Sequence, residues 1–237
     1  MFDAILWDYD GTLADTAAKN RAVTVEVLRR VDPALLSPLP TALAGTEAYR
    51  EISRRYRNWT ELYADNYRMS PEQIRRAAPL WAPCQEQDEI LPPLFGGVLE
   101  LLETLRDIPM AICSQNAAAS MRAVLSACGA ERYFGAVAGF DTLELRRQKP
   151  EPDSFLHCLE ILGLPGGTFL YVGDQADDVR FAKAAERVLR ERGADASVVT
   201  AAAEWSGARP DEWPMQPELR AKTPAMLAEL LMGEKPI

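Results

Sequence analysis

Two carboxylates near the start of the chain are placed where they could do chemistry together. The stretch WDYDGTLADT (7–16) follows an apolar run and sets Asp8 and Asp10 two positions apart. On a β-strand, side chains at i and i+2 point to the same face, so both carboxylates can address one small volume. Buried charges are costly unless something pairs with them, and a metal ion is the simplest partner. Gly11 then permits a tight turn, and Thr12 can hydrogen-bond to the local backbone.

Two later stretches offer a hydroxyl and an ammonium group. AICSQN (111–116) ends an apolar run with Ser114 beside the N–H groups of a turn, where a helix N-cap is the simpler interpretation. RRQKPEPDSF (146–155) places Lys149 before a proline, which holds its backbone out of the helical region. The next helix is then expected to begin near Pro152. Taken alone, Lys149 is more typical of a solvent-exposed lysine.

A fourth stretch, YVGDQADDV (171–179), ends another apolar run with acidic residues. Asp174 closes the run, and Asp177 and Asp178 follow in a turn or in the first turn of a helix. Acidic residues at that position also stabilise a helix dipole, which is the alternative interpretation of the last two. Three acids beside one predicted strand end nevertheless indicate a cation.

The elements that must position these residues are predicted strands alternating with helices. Nearly continuous apolar runs in such an alternation indicate a parallel sheet covered on both faces, in which ligands gather at the carboxyl ends of the strands. The polar residues that close these runs therefore lie where a site is expected. The predicted strands are 4–10, 108–114, 135–140, 168–174 and 196–200.

The segment that follows the first strand breaks this alternation. Residues 16–90 contain helical periodicity and no convincing strand, and they are too many for a crossover connection. One of the helices is expected to begin after Ser70, which is followed by Pro and Glu. We predict a separate helical domain at 16–90, inserted into a core made of 1–15 and 91–237.

The amino-acid composition limits which partners and which cellular location are expected for the protein. The 237 residues carry a formal net charge of −9, which disfavours a nucleic-acid partner because such a partner needs a basic face. No stretch approaches about 18 uninterrupted apolar residues, so no membrane partner is expected and the protein is predicted to be cytoplasmic. The single histidine, His157, and four cysteines without metal-ligand spacing leave carboxylates, lysine and a metal to carry any chemistry.

Taken together, the four stretches resemble the signatures of the haloacid dehalogenase-like (HAD) hydrolase superfamily. Asp-x-Asp-Gly-Thr, then Ser, then Lys-Pro, then Gly-Asp-x-x-x-Asp follow in that order, each at a strand or loop end. The resemblance covers 1–15 and about 95–201, and the helical insert lies where the phosphoglycolate-phosphatase-like branch carries its cap. It implies an α/β fold with a doubly wound, Rossmann-like parallel sheet and an inserted all-helical cap.

The resemblance also implies a role for each matched residue. Asp8 would be the nucleophile that forms an aspartyl-phosphate, and Asp10 the general acid and base. Mg²⁺ would be the cofactor, and a hard, oxygen-only ligand set with room for water suits Mg²⁺ better than zinc. The cation and a lysine ammonium would offset the repulsion between a carboxylate and a phosphate. The implied phosphate-binding residues are Ser114, Gln115 and Lys149. The implied metal site consists of Asp8, the main-chain carbonyl of Asp10 and Asp174 as ligands, with Asp178 supporting a metal-bound water.

Two positions depart from the pattern of relatives. Gln115 follows Ser114 where relatives commonly have Asn, and Asn116 comes one residue later. This leaves open which side chain touches the substrate, although the backbone N–H of Gln115 would still be available. Gln175 follows Asp174 where a small Ser or a His is often found.

Several enzymatic activities occur on this core, and the sequence favours some of them over others. Asp10 disfavours 2-haloacid dehalogenation and phosphonate cleavage, since relatives with those activities lack an acid at this position. A sugar phosphomutase has the same core residues and stays open. A non-catalytic protein that binds a phosphorylated metabolite needs no nucleophile, so the intact Asp8 argues against it. The predicted activity is hydrolysis of a small phosphorylated metabolite.

The cap is expected to act as a lid with hinges near 13–15 and 91–95. The loop AGTE (44–47) is the candidate for the lid element nearest the substrate. Gly45 would permit a sharp turn, and Thr46 would be the N-cap of the following helix, whose exposed N–H groups could face an anion. An ordinary solvent-exposed turn between helices is the alternative.

Overall fold

The core is a parallel β-sheet with helices on both faces. The computed structural model describes residues 2–56, 59–143 and 149–233. The strands in those residues are β1 (Ala4–Trp7), β2 (Met110–Cys113), β3 (Phe134–Ala138), β4 (Gly167–Gly173), β5 (Ala196–Ala203) and β6 (Leu219–Ala221). They form one sheet in the order β3-β2-β1-β4-β5-β6, and all neighbouring strands are parallel.

Ten α-helices accompany the strands in the described residues. They are α1 (Ala17–Val31), α2 (Thr46–Ser53), α3 (Trp59–Asp65), α4 (Pro71–Ala77), α5 (Trp81–Gln87), α6 (Val98–Thr104), α7 (Ala118–Ala127), α8 (Asp153–Leu162), α9 (Ala176–Glu191) and α10 (Pro224–Met232).

The alternation of side chains along β1 shows why helices cover both faces of the sheet. Ile5 and Trp7 point into an apolar cluster shared with residues of α6, α7 and α10. Leu6, between them, points into a second cluster with Phe155 of α8 and Phe181 of α9. Because successive side chains of a strand point to opposite faces, an uninterrupted apolar strand needs an apolar partner on each side. The predicted α/β fold with a doubly wound parallel sheet is confirmed.

The order of the strands fixes where a ligand can bind. The chain moves outward from β1 to β2 and β3, then returns to place β4 on the other side of β1. The crevice where an open α/β sheet reverses its strand order, at the carboxyl ends of the strands, is the usual ligand site. Asp8 follows β1 and Asp174 follows β4, so the two carboxylates flank this crevice.

The chain divides into two compact units, Met1–Asp15 with Pro93–Ile237, and Thr16–Pro92. The second unit contains α1 to α5 and short 3-10 turns, with no strand in its described residues 16–56 and 59–92. It has its own apolar core, which includes Val27, Leu43 and Tyr63. A unit with its own core has the basic property of a separate domain.

Two local predictions within this helical unit have different outcomes. The helix start after Ser70 is confirmed, because the Ser70 side chain accepts from the N–H of Gln73 and the Gln73 side chain accepts from the N–H of Ser70. The prediction that Thr46 is an N-cap is wrong, since the N-cap is Gly45 and Thr46 is the first residue of α2. Gly45 has an extended backbone, φ −173° and ψ 168°, which any residue adopts, so its backbone angles do not require a glycine.

The sheet itself differs from the sequence prediction at its edges. β1 ends at Trp7 rather than at residue 10, because the backbone turns at once and the N–H groups of Thr12, Leu13 and Ala14 donate to the carbonyl of Tyr9. β6 was not predicted, since its three residues, Leu219–Ala221, include an arginine and are too short for a clear periodicity. Within the described residues, none of the helices is long and apolar enough to cross a membrane.

Candidate active site

A buried lysine joins two of the predicted site carboxylates. The Nζ atom of Lys149 lies 2.7 Å from Oδ1 of Asp8 and 2.9 Å from Oδ1 of Asp178. The side chains of Lys149 and Asp178 are each 9% exposed, so this double ion pair is almost entirely out of water. Such pairs need close geometry and additional hydrogen bonds to offset the loss of hydration. Both carboxylates have further donors, Thr12 for Asp8 at 3.5 Å and the N–H of Gln175 for Asp178 at 3.0 Å.

Lys149 reaches this position from the loop that precedes α8. Its backbone carbonyl accepts a hydrogen bond from Nε2 of Gln115 at 2.9 Å, which ties this loop to the one that follows β2. Burial by itself lowers the pKa of a lysine, but Asp178 and Asp8 act more strongly together and the pKa of Lys149 lies above its usual range. The ammonium is therefore charged at neutral pH.

The acidic residues after β4 are placed by close backbone approaches. Asp174 directly follows β4, and Asp178 lies in the first turn of α9. Gly11 has φ +80°, and a Cβ atom there would lie 2.3 Å from Oδ2 of Asp174. A Cβ atom on Gly173 would lie 2.3 Å from Cγ of Asp178. The turn after β1 and the end of β4 thus approach the two carboxylates so closely that glycine is required.

Three buried carboxylates form a group that could hold a metal ion. Asp8, Asp174 and Asp178 each offer an oxygen, and these three atoms lie within 4.8 Å of one another. The ammonium of Lys149 pairs with two of these carboxylates, Asp8 and Asp178. An all-oxygen set of carboxylate donors fits a hard divalent cation such as Mg²⁺.

The electrostatic state of Asp8 reflects the same crowding. Burial raises the pKa of the Asp8 carboxyl well above its usual range, Lys149 acts in the opposite direction, and the neighbouring carboxylates add to the rise. A charged Asp8 is therefore costly in the metal-free protein. A cation bound to the group would favour the charged form.

Asp10 faces a different set of partners from Asp8. Oγ of Ser114 donates to Oδ2 of Asp10 at 3.2 Å, and Nδ2 of Asn116 donates to Oδ1 at 3.0 Å. The argument that both carboxylates share one face of a strand does not apply, because β1 ends at Trp7. Asp10 is still close enough to raise the pKa of Asp8. The chain thus holds two neighbouring carboxylates by separate donors, one bonded to an ammonium and one to a hydroxyl and an amide.

The sequence pattern left several contacting residues unassigned. Asn116 was noted only as displaced by one position, and the structure places its amide on Asp10 while the Gln115 side chain turns to the Lys149 loop. Ser206, in a short 3-10 turn after β5, donates to Oδ2 of Asp174 at 3.4 Å. The hydroxyl of Tyr171 lies 3.4 Å from Oδ1 of Asp178. No motif marks Ser206, and Tyr171 is indistinguishable in sequence from a core residue of β4.

The comparisons with known proteins agree with this geometry. A family model of haloacid dehalogenase-like hydrolases matches residues 2–186. A phosphoglycolate phosphatase of Pseudomonas savastanoi pv. phaseolicola is 25% identical over 192 residues, which are 76% of this chain but only 65% of that protein. A phosphoglycolate phosphatase of Rhodospirillum rubrum is 31% identical over 196 residues, covering 77% of this chain and 76% of that protein.

A solved structure extends the likeness to the fold of the whole chain. A haloacid dehalogenase-like family hydrolase from Streptococcus pneumoniae superposes with a TM-score of 0.70 at 19% sequence identity. The superposition covers 99% of both chains. At this identity the likeness shows a shared fold.

Replacing Gly11 by alanine tests the close approach to Asp174. We expect Gly11→Ala to lower the free energy of unfolding by about 1–3 kcal/mol, because the positive φ is strained for alanine and its Cβ displaces the carboxylate. Gly96→Ala is the matched control, since a Cβ atom there meets no atom within 4 Å. Denaturant unfolding of both variants is the measurement, and equal stability of the two would contradict the assignment.

Replacing Asp8 by asparagine in chelator-treated protein tests whether the ionised Asp8 carboxylate lowers the stability of the fold. The pKa of Asp8 is higher in the folded than in the unfolded chain. The ionised carboxylate therefore costs stability above the usual carboxyl range, about pH 4, and the neutral amide avoids that cost. We expect Asp8→Asn to raise the Tm at pH 7.5 by a few degrees, about 2–4 °C per kcal/mol, with the gain shrinking towards pH 4.

The control for this measurement is Asp177→Asn. Asp177 lies in the same helical turn as Asp178, but it pairs with the exposed Arg180 at 2.7 Å. Its replacement should therefore leave the Tm unchanged or slightly lower. A Tm of Asp8→Asn at or below that of the wild type at pH 7.5 would show that the charge of Asp8 is already compensated without metal.

Proposed function

Because the chain belongs to the haloacid dehalogenase-like hydrolase family, we propose that it is a Mg²⁺-dependent phosphatase acting on a small phosphorylated metabolite. The observation that carries this proposal is the pair of carboxylates after β1, one bonded to a buried ammonium and the other held two residues later by Ser114 and Asn116. A nucleophile next to a separate acid is the arrangement that two-step phosphoester hydrolysis needs.

The proposed metal ligands are side-chain oxygens of Asp8, Asp174 and Asp178, with the main-chain carbonyl of Asp10. Bound Mg²⁺ supplies positive charge that reduces the repulsion between an anionic carboxylate and an anionic phosphate. The burial of these carboxylates and the closeness of their oxygens, within 4.8 Å of one another, support this assignment.

In the proposed first step, a carboxylate oxygen of Asp8 attacks phosphorus and the bond to the leaving oxygen breaks. Asp10 gives its proton to that oxygen, so the product leaves as a neutral alcohol. Ser114 and Lys149 bind the transferring phosphoryl oxygens, together with the backbone N–H of Gln115. In the second step water attacks phosphorus of the aspartyl-phosphate, Asp10 takes up a proton, and Asp8 is regenerated as inorganic phosphate leaves.

The helical unit 16–92 is proposed to be the cap that controls access to this site. A lid must exclude bulk water during the first step and then admit one water for the second. Its connections to the core are short segments near residues 13–15 and 91–95. Gly45 and Thr46 stay the candidates for contact with the substrate, with the backbone N–H groups of the first turn of α2 as donors. A phosphorylated metabolite as substrate is consistent with a cytoplasmic location, which we also propose.

Turnover of phosphorylated metabolites is the direct test of the function. We expect Mg²⁺-dependent release of inorganic phosphate from at least one member of a panel of phosphorylated acids, sugars and alcohols, abolished by a chelator. Asp8→Asn should reduce the rate by at least about 10³-fold, since it removes the nucleophile. Asp177→Asn serves as the matched control and should stay within about twofold of the wild type.

Three outcomes would count against the proposal. Retention of more than about a tenth of the activity in Asp8→Asn would exclude the covalent mechanism. Conversion of a sugar phosphate to its isomer, with no release of phosphate, would identify a phosphomutase. Saturable binding of panel members without any turnover would indicate a binding protein.

Replacing Asp10 by asparagine tests its role as the acid. In single-turnover experiments, Asp10→Asn should slow transfer from an alkyl phosphate by about 10²–10⁴-fold, because a poor leaving group needs the proton. Transfer from p-nitrophenyl phosphate should fall much less, since p-nitrophenolate leaves without protonation. Equal losses for the two substrates would argue against an acid role.

A further inference from the structure

Two aromatic rings face the ammonium of Lys149 from beneath. Its Nζ atom lies 5.1 Å from the centroid of the Tyr171 ring and 5.0 Å from that of Phe181. An ammonium within about 6 Å of a ring face is attracted by the ring quadrupole, and the attraction is strongest where water is excluded. Both rings are buried, Tyr171 with 1% and Phe181 with 0% exposure. These two cation–π contacts are therefore shielded from water, where the attraction is strongest.

The two rings form a corner that is itself held rigidly. Their centroids are 5.2 Å apart and their planes meet at 69°. Phe155 packs behind them, with its centroid 6.0 Å from each. The hydroxyl of Tyr171 donates to the backbone carbonyl of Cys113 at 3.1 Å and lies 3.4 Å from Oδ1 of Asp178. The orientation of the Tyr171 ring is thus fixed by β2 on one side and by a site carboxylate on the other.

Lysine needs such a support more than arginine would. Its ammonium is a point charge on a flexible four-carbon stem, with no planar fork to define a direction. Two carboxylates alone would allow the ammonium to move toward either of them. Contact with two ring faces at similar distances restricts it to the region between Asp8 and Asp178.

We propose that Tyr171 and Phe181 are positioning residues that hold the ammonium of Lys149 between Asp8 and Asp178. We call these two rings the aromatic shelf. Its kinetic consequence rests on the proposed phosphatase function, because Lys149 is assigned there to the phosphoryl oxygens and to the nucleophile. The shelf keeps the ammonium in place as the phosphoryl group approaches, so that positive charge is present where the transition state needs it.

The kinetic test compares aromatic residues of the same cluster. Phe181→Leu and Tyr171→Leu each remove a ring face beneath the ammonium and should lower kcat about 5–30-fold, with less effect on KM. Tyr171→Phe keeps the ring and should recover to within about threefold of the wild type. Phe155→Leu is the matched control, because it removes a buried ring of the same cluster that packs behind the shelf, and it should stay within about twofold.

A double-mutant cycle separates positioning from general damage to the core. If the shelf acts through Lys149, then Phe181→Leu should add less than about twofold loss in a Lys149→Met background. A loss that persists in full in that background would overturn the proposal, as would an equal loss in Phe155→Leu. Should Phe181→Leu fail to fold, Phe181→Met removes the ring while conserving more volume.

A structural readout decides the proposal without any substrate. In crystals of Phe155→Leu the ammonium should keep its contacts to Asp8 and Asp178, whereas in Phe181→Leu it should shift by about 1 Å or leave one of them. An ammonium unmoved in Phe181→Leu would overturn the shelf. If the wild type hydrolyses no phosphorylated compound, the proposed function fails, and this crystallographic comparison still tests the shelf.

Discussion

Lys149 places an ammonium group 2.7 Å from Asp8 and 2.9 Å from Asp178, with its side chain 9% exposed. A charged group removed from water to this extent needs opposite charge beside it, which Asp178 and Asp8 supply. A third buried carboxylate, Asp174, completes the cluster. The three carboxylate oxygens lie within 4.8 Å of one another, and this closeness is the physical reason for expecting a divalent cation.

The sheet supplies the rigidity that such a cluster needs. β1 and β4 are buried on both faces and pair along four residues in register, so their carboxyl ends are fixed relative to each other. Asp8 and Asp174 extend directly from those ends. At Gly11 and Gly173 the backbone lies so close to the carboxylates of Asp174 and Asp178 that a Cβ atom would collide with them. The charged cluster is thus attached to two strands whose side chains pack against apolar residues on both faces of the sheet.

The loop after β2 connects the two halves of the site. Ser114 and Asn116 donate to Asp10, whereas Gln115 donates to the backbone of Lys149. Placing the asparagine one residue later than in relatives therefore does not remove a donor from the site. It directs the amide to Asp10 and leaves the intervening side chain to hold the Lys149 loop. One three-residue segment thus positions both the carboxylate proposed as the acid and the lysine proposed to bind phosphate.

The sequence alone determined the fold class, the family resemblance and the main carboxylates, because uninterrupted apolar strands and residues at strand ends are local, periodic signals. The start of α4 at Ser70 was readable for the same reason, since a capping box is closed within four residues. The N-cap of α2 is Gly45 and not Thr46, a difference of one residue that the sequence does not resolve because an N-cap is defined by backbone angles.

Only the tertiary structure decided the partners of each charge. Ser206 on Asp174, Asn116 on Asp10, and Tyr171 and Phe181 beneath Lys149 are contacts between segments distant in sequence. No short motif records such contacts, because each depends on which strand ends and loops the parallel sheet brings to one crevice. Local motifs in the sequence therefore indicate the type of chemistry, whereas the packing of the whole core determines the position and the partners of each charged group.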